Sequence, residues 1–279
     1  MGEIAFYQDK FVGIDEKVVP IQERGHQFGD GIYEVVRVYG GVPFLLDEHL
    51  LRMEKSADAL EMKLPYTTEK IKEIIHEALN RSNYTDADIY FQVTRGISAR
   101  QHHYPEVPTV FSLTVRPAKA IDETKRQEGI GVLLVEDVRW LNCYIKSLNL
   151  LPNVMAKQKA MAGGYYEAIF QRDGIVTEGS SSNLFVVKDG QLFTHPATNR
   201  ILHGITRAKV LELAAKLDIP VQEQEFDINF LHQGDEAFIT STSAEVLPIR
   251  EIGELELPRT RPITDRLAEA FKDLYKVKN

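Results

Sequence analysis

A lysine among apolar neighbours is the first residue of this sequence that could do covalent chemistry. The stretch RWLNCYIKSLNLLPN places Lys146 after Ile145 and shortly before a run of leucines that begins at Leu148. An ammonium group in such surroundings costs free energy unless it is paired, deprotonated or covalently bonded. A lone lysine more often extends its amine to the surface, but it can instead form a Schiff base with a carbonyl compound. Lys146 alone leaves both interpretations open.

A carboxylate followed by small polar residues is the second candidate. In VTEGSSSN, residues 176–183, Glu178 precedes a glycine, three serines and an asparagine. Such a segment is commonly only a turn between two strands. Its N–H and hydroxyl groups could also hold an anion or a ring substituent, with Glu178 against a positively charged ring nitrogen.

Two further segments offer donors for a phosphate group. In HGITRAKVLEL, residues 203–213, a glycine precedes an expected helix start, where free N–H groups and the helix dipole favour an anion. ITSTSAE, residues 239–245, adds hydroxyls after a strand. Each could equally be an ordinary helix cap or a polar strand end. No Walker loop or dinucleotide-type glycine fingerprint occurs, so nucleoside triphosphate and NAD binding lose support.

The loop RGISARQHHYPE, residues 95–106, gathers Arg100, His102 and His103. Adjacent histidines could bind a metal, but no convincing third ligand accompanies them, so no metal is expected. An arginine beside an imidazole suits a carboxylate ligand better, because the guanidinium fork can bind both oxygens.

Composition limits the class of protein. The 279 residues are 43% hydrophobic and 27% charged, typical of a soluble globular chain. A net charge of -8 argues against a nucleic-acid surface. The single cysteine, Cys143, allows no intrachain disulfide and fits a reducing compartment. No apolar run suggests a signal peptide or membrane span, so a cytoplasmic protein without membrane partners is expected.

The elements that must position these residues follow from apolar spacing and turn residues. A hairpin is predicted to turn at Gly40 and Gly41, followed by a helix capped by Asp47 and a second helix over residues 68–81. Strand-like runs follow in both halves of the chain, and helices are predicted near Gly204 and at the C-terminus. The pattern predicts a mixed α/β chain in two parts.

The polar segment 117–129 contains Pro117 and follows neither the helical nor the strand period, so it is the predicted linker. The expected domains are therefore a small N-terminal domain over residues 1–116 and a larger C-terminal domain over residues 130–279.

Together these segments resemble the class IV aminotransferases, the pyridoxal phosphate (PLP) enzymes of fold type IV, over essentially the whole chain. Within that family they are most similar to the bacterial D-amino-acid transaminases. The resemblance implies a mixed α+β fold with a small N-terminal α/β domain and a larger C-terminal pseudo-barrel domain that binds PLP. The matching segments, in the family's order, are QFGDGIYEVVRVY from Gln27, DEHLLRM from Asp47, IYFQVTRG from Ile89, DVRWL from Asp137, CYIKSLNLL from Cys143, VTEGSSSN from Val176 and HGITR from His203.

The resemblance also implies roles for individual residues. Lys146 would form a Schiff base with the C4′ aldehyde of PLP and, once freed, act as general base on the substrate Cα. Glu178 would keep the pyridine nitrogen protonated. The other residues implied to contact the cofactor are Arg52, Ser181, Leu202, Ile205, Thr206, Ser241 and Thr242.

The substrate carboxylate would be held by Tyr33, Arg100 and His102, which match the residues that fix the enantiomer in D-amino-acid transaminases. The family is homodimeric, and the loop with Arg100 and His102 would reach the site of the partner subunit. The implied reaction moves an amino group from a D-amino acid such as D-alanine to a 2-oxo acid such as 2-oxoglutarate.

Four alternatives compete with this interpretation. A branched-chain L-amino-acid transaminase shares the fold and the cofactor residues, but usually has an arginine near the start of the strand where this chain has Gln92. The loop with Arg100 and His102 argues against an aminodeoxychorismate lyase. A catalytically silent homodimeric binding protein would not need Lys146, and a cofactor-free Schiff-base aldolase would not need Glu178 or a phosphate site.

Overall fold

The computed structural model describes residues 2–276 and divides them into two compact units. The first unit holds the described residues up to Lys119 together with Ile145–Asn149, and the second holds Ala120–Tyr144 and the described residues from Leu150 onwards. The fold is mixed α+β, as predicted. The sequence did not anticipate that the short segment with Lys146 would belong to the first unit. No helix among residues 2–276 is long and apolar enough to cross a membrane.

The first unit is built on a six-stranded antiparallel sheet in the order β2-β1-β6-β5-β3-β4. Three helices accompany the sheet. The elements of this unit are β1 (Ile4–Tyr7), β2 (Lys10–Val12), α1 (Arg24–Phe28), β3 (Gly31–Tyr39), β4 (Val42–Pro43), α2 (Leu46–Ala59), α3 (Thr68–Ser82), β5 (Ala87–Thr94) and β6 (Val110–Pro117).

Local sequence signals explain most of these elements. The hairpin between β3 and β4 turns at Gly40 and Gly41, whose φ angles of 55° and 83° suit glycine because it lacks a Cβ atom. Helix α3 lies where the apolar spacing predicted it, and the Thr67 side chain accepts a hydrogen bond from the N–H of Lys70 at 3.2 Å.

The predicted cap of α2 is wrong. The helix begins at Leu46, after Leu45 in the left-handed region, and no side chain caps it. Asp47 instead lies in the first turn, where a carboxylate is favoured by the helix dipole, and pairs with Lys72 at 2.5 Å.

The second unit is built on a ten-stranded sheet in the order β12-β11-β10-β14-β15-β7-β8-β9-β13, with β16 paired to β15. The buried side chains of this unit are largely apolar and include the stacked rings of Phe185 and Phe238, whose centroids lie 4.9 Å apart. The elements are α4 (Glu123–Glu128), β7 (Ile130–Glu136), α5 (Leu151–Ala162), β8 (Glu167–Arg172), β9 (Ile175–Gly179), β10 (Asn183–Lys188), β11 (Gln191–Thr194), α6 (Ile205–Lys216), β12 (Val221–Glu223), β13 (Phe226–Asp227), α7 (Ile228–His232), β14 (Glu236–Ser241), β15 (Glu245–Ile252), β16 (Leu255–Glu256) and α8 (Pro262–Asp273).

Helix α4 lies inside residues 117–129, the segment predicted to link the two domains. Asp122 caps this short helix by accepting from the N–H of Thr124 at 3.0 Å. The guanidinium of Arg126 lies 3.0 Å from the carboxylate of Glu245, so a long-range ion pair helps to order a segment whose apolar periodicity is weak.

Candidate active site

Lys146 lies in the first unit, on the segment that runs beside β3. The N–H of Tyr33 donates to the Lys146 carbonyl oxygen at 3.0 Å, and an isolated bridge pairs Ile32 with Ser147. The Lys146 N–H donates to the Ser56 hydroxyl at 3.2 Å. Backbone contacts on both sides therefore fix the lysine in place.

The side chain of Lys146 faces an aromatic ring. Ile145 and Ser147 are buried, while Lys146 between them is half-buried and directs its Nζ to within 4.2 Å of the centroid of the Tyr33 ring. Leu151, one of the apolar neighbours in sequence, is 69% exposed on α5. Within the described residues no carboxylate pairs with the Lys146 amine, which agrees with the Schiff-base role predicted for it.

A buried carboxylate on β3 fixes α2. Glu34 lies on the inward face of the strand and is 0% exposed. Arg52 binds it with two hydrogen bonds, Nε to Oε1 at 2.8 Å and Nη2 to Oε2 at 2.7 Å, and His49 Nδ1 lies 2.7 Å from Oε2. Burial alone would raise the pKa of Glu34, but the charges and hydrogen bonds of Arg52 and His49 outweigh it and lower the pKa to about 2.

Glu34→Gln is expected to lower the free energy of unfolding at pH 7 by about 3 kcal/mol, because a pKa of about 2 instead of 4.5 stabilises the folded carboxylate by that amount. A depressed pKa stabilises fully above pH 4.5, and the benefit is lost as the pH falls towards 2. Urea unfolding between these pH values should show this loss in the wild type and not in the variant. Glu77→Gln, in the exposed pair with Arg81, is the control and should change little; equal pH dependence of the wild type and Glu34→Gln would contradict the assignment.

The predicted substrate residues contact two different aromatic side chains in the first unit. Tyr33 stacks on Tyr90 with ring centroids 5.7 Å apart. Arg100 and His102 are exposed and share another ring: the guanidinium of Arg100 lies 4.6 Å from the Phe28 centroid, and the rings of His102 and Phe28 are 5.6 Å apart. Among the described residues, no hydrogen bond or ring contact joins Tyr33 to Arg100 or His102.

In the second unit, Glu178 is a buried carboxylate with three partners. Its Oε1 accepts from Arg139 Nη1 at 2.7 Å, its Oε2 accepts from Asn183 Nδ2 at 3.0 Å, and the N–H of Leu202 lies 3.1 Å and 3.0 Å from the two oxygens. Burial raises the pKa of Glu178 to about 7, even though Arg139 and the Leu202 N–H oppose the shift. The raised pKa means that burial disfavours the charged form of Glu178, so a further positive charge beside it would be favourable.

Arg139 is itself fixed by a second acid. Its Nε and Nη2 donate to the two oxygens of Asp137 at 2.9 Å each, and its guanidinium lies 4.2 Å from the Phe170 ring centroid. Arg172 Nη2 approaches Asp137 at 3.2 Å. Asp137 therefore orients Arg139, and Arg139 orients Glu178.

The start of α6 presents unpaired donors. Gly204 occupies the N-cap position, and no side chain caps the helix. In the part of the chain that the structure describes, the N–H groups of Ile205 and Thr206 and the Thr206 hydroxyl make no hydrogen bond. Asn183 donates to the Leu202 carbonyl at 2.9 Å, so the segment before the helix is tied to the residue that also contacts Glu178.

The serines predicted to contact the cofactor make internal bonds. Ser181 donates to Glu167 Oε2 at 2.8 Å, and the hydroxyl of the neighbouring Ser180 also donates to this buried carboxylate. The Ser241 hydroxyl accepts from the N–H of Ala244 at 3.0 Å, closing a turn at the end of β14. Thr242 is half-buried in that turn.

Sequence reasoning assigned no role to several residues that hold these groups. The role of Glu34 could have been predicted, because it alternates along the strand with Ile32 and Val36 and so points to the same buried face. A carboxylate buried there needs a positively charged partner. The other three, Arg139, Asn183 and Glu167, belong to no local pattern that indicates their partners. Their roles depend on which strand ends meet in the folded unit.

The sequence pattern of the family described as amino-transferase class IV matches residues 31–252. A protein of Staphylococcus haemolyticus named D-alanine aminotransferase is 41% identical to this chain over 270 residues, covering 95% of each chain. A D-alanine aminotransferase of Bacillus licheniformis is 45% identical over 239 residues, covering 85% of this chain and 84% of that protein.

The fold also matches solved structures. A branched-chain aminotransferase from the thermophilic archaeon Thermoproteus uzoniensis, solved with norvaline, superposes with a TM-score of 0.92 at 28% identity and covers 99% of this chain and 95% of that one. A branched-chain amino acid aminotransferase solved with pyridoxamine 5′-phosphate has the same TM-score at 27% identity. These two branched-chain enzymes share the fold of this chain, but their sequence identity to it, 28% and 27%, is lower than the 41% and 45% of the two D-alanine aminotransferases.

Proposed function

Because this chain belongs to the class IV aminotransferase family, we propose that it transfers the amino group of a D-amino acid, such as D-alanine, to a 2-oxo acid, such as 2-oxoglutarate. The observation that carries the proposal is the identity of 41% and 45% to two proteins named D-alanine aminotransferase, over most of each chain. The presence of Arg100 and His102, and of Gln92 where branched-chain enzymes usually have an arginine, agrees with this choice.

The residues of the second unit fit PLP. A protonated pyridine nitrogen is positively charged and requires a buried acceptor of negative charge. Glu178 is such a carboxylate, and Arg139, Asn183 and Leu202 surround it. A phosphate requires several N–H and hydroxyl donors, and the start of α6 offers those of Ile205 and Thr206 unpaired. We propose that Arg52, Ser181, Ser241, Thr242 and the side chain of Leu202 complete the cofactor contacts.

When bound, PLP supplies an electron sink for the substrate carbon that loses its proton. Lys146 would hold the cofactor covalently until the substrate amine replaces it, and the freed Nζ would then take the proton from the substrate Cα. Glu178 would hold a proton on the ring nitrogen, and Arg139 would keep Glu178 oriented. The Tyr33 ring, 4.2 Å from Nζ, limits the directions from which Nζ can reach a substrate.

Choice of enantiomer requires a fixed substrate carboxylate, because only then does one Cα–H point to the catalytic amine. We propose that Tyr33, Arg100 and His102 fix it, with the guanidinium and the imidazole supplied by the partner subunit of a homodimer. The lack of contact between Tyr33 and these two residues in the described chain supports that arrangement.

Helix α5 also carries exposed apolar side chains, among them Leu151 and Met155, which are 69% and 63% exposed. A second copy of the chain would cover them.

We also propose a cytoplasmic location, supported by the single cysteine, Cys143, whose thiol is free.

To test this, purified protein is mixed with 2-oxoglutarate and either D-alanine or L-leucine. Formation of pyruvate is measured for D-alanine, and formation of the branched 2-oxo acid for L-leucine. We expect kcat/KM for D-alanine to exceed that for L-leucine by at least about 100-fold, because the wrong enantiomer directs its Cα–H away from Lys146. A preference for L-leucine would replace the proposal with a branched-chain transaminase, the function that the fold match of TM-score 0.92 favours.

A further inference from the structure

Two buried arginines that share one carboxylate hold the loop that carries Arg100 and His102, in addition to the backbone hydrogen bonds at Gly96 and Ser98. We propose that Asp30 is a positioning residue for substrate binding: it fixes Arg24 and Arg95, and these two side chains fix the β5–β6 loop (residues 95–109). The role given to this loop rests on the proposed function, whereas its attachment rests on contacts within the first unit.

The carboxylate of Asp30 lies between the two guanidinium groups. Its Oδ2 accepts from Arg24 Nε at 2.8 Å and from Arg95 Nε at 2.9 Å, and its Oδ1 lies 3.0 Å from the same Arg95 nitrogen. The side chains of Arg24 and Arg95 are only 3% and 6% exposed. Two buried cations repel each other, so without the charge of Asp30 both could not stay in place.

Arg24 extends from this cluster to the substrate-binding part of the loop. Its Nη1 donates at 2.6 Å to the carbonyl oxygen of Gln101, the residue between Arg100 and His102. Its guanidinium also lies 4.7 Å from the centroid of the Phe28 ring, which Arg100 and His102 contact as well. Arg24 therefore sets the position of the backbone from which both side chains project.

Arg95, the first residue of the loop, contacts the later part of the loop and the end of α2. Its guanidinium lies 3.5 Å from the Tyr104 ring centroid, and its Nη2 donates to the Leu60 carbonyl at 2.7 Å. Gly96, with a φ of 111°, brings the start of the loop close to its end, since a Cβ atom there would lie 2.2 Å from the Pro108 carbonyl oxygen. The loop is thus closed at its base, and the two arginines contact it further along at Gln101 and Tyr104.

Asp30→Asn keeps the size of the side chain and removes its charge. We expect it to raise KM for both D-alanine and 2-oxoglutarate by about 10-fold, because both substrates present a carboxylate to the displaced loop. The change in kcat should stay within about 3-fold, since Lys146 and Glu178 are untouched. Glu77→Gln makes the same carboxylate-to-amide change in the ion pair with Arg81 and should leave both constants unaltered.

A double variant tests whether Asp30 acts through the loop. Arg100→Ala should raise KM more than Asp30→Asn does and leave cofactor absorption intact. If Asp30 acts only by positioning Arg100 and His102, adding Asp30→Asn to Arg100→Ala should raise KM by less than about 3-fold over that of Arg100→Ala alone. A double variant whose KM increase equals the product of the two single increases would overturn the proposal.

A readout without substrate separates this proposal from the proposed function. Amide hydrogen exchange over residues 96–109 should be at least about 10-fold faster in Asp30→Asn than in the wild type. Unchanged exchange would overturn the positioning role, whatever the substrate is, and absence of transaminase activity in the wild type would overturn only the function. Should Asp30→Asn fail to fold, Arg24→Lys keeps the charge and loses the reach to Gln101; faster exchange in that variant supports the proposal and unchanged exchange refutes it.

Discussion

Replacing Lys146 by alanine is expected to lower kcat by about 10⁴-fold or more, because the cofactor attachment and the proton transfer at Cα would be lost together. Borohydride treatment of the wild-type holoenzyme, followed by trypsin, should label the peptide of residues 140–157, which begins after Arg139 and ends with Lys157. The variant should give no labelled peptide. Lys216→Ala, at the exposed end of α6, is the control and should keep full activity and labelling.

A label on another lysine would contradict the assignment of Lys146, even if the variant were inactive. Loss of activity with cofactor still covalently bound would contradict it equally. The position of the label is therefore more informative than the rate alone.

Mixing the Lys146→Ala and Arg100→Ala chains tests the proposed dimer. If the loop serves the partner subunit, a heterodimer contains one site with an intact Lys146 and an intact partner loop. Random reassembly of equal amounts should then restore about one quarter of the wild-type activity, because half of the dimers are heterodimers with one intact site each. No gain over the unmixed variants would show that Lys146 and Arg100 must come from the same chain.

Replacing Glu178 by lysine is expected to have the second largest effect, a loss of about 10²- to 10³-fold in kcat. The new cation would lie beside Arg139, whose Nη1 is 2.7 Å from Glu178 in the wild type, and would disfavour a protonated ring nitrogen. The measurements are kcat and the absorption spectrum of the bound cofactor as a function of pH. Glu254→Lys, the same change in an exposed turn, should leave both unchanged.

Glu178→Gln separates the charge from the packing. It is isosteric, keeps an acceptor for the Arg139 guanidinium and removes the negative charge, so we expect a loss of about 10- to 100-fold. Full activity in this variant would show that Glu178 does not stabilise the charge of the ring. Thermal unfolding of both variants checks that the loss does not come from instability.

Several features of the fold could be predicted from the sequence because short-range spacing determines them. The apolar residues of α3 recur on one helical face, and Gly40 and Gly41 supply the positive φ angles of the β3–β4 hairpin. The family could also be identified, because its motifs occur in order along the chain. The mixed α+β fold and the class of enzyme followed from these observations.

The partners of the buried charges could not be predicted in this way. Asp30 and Arg95 are 65 residues apart, and Glu178 and Arg139 are 39 apart, yet each pair is in direct contact. Nothing in the local pattern indicated that the Lys146 segment would join the first unit, or that Asp47 would pair with Lys72 instead of capping α2.

The sequence by itself determined which chemical groups the protein has and the local elements on which they lie, because both depend on residues close together in the chain. The tertiary structure alone decided which buried charge neutralises which. That choice depends on which distant segments meet when water is excluded, since a buried charge is stable only beside a partner.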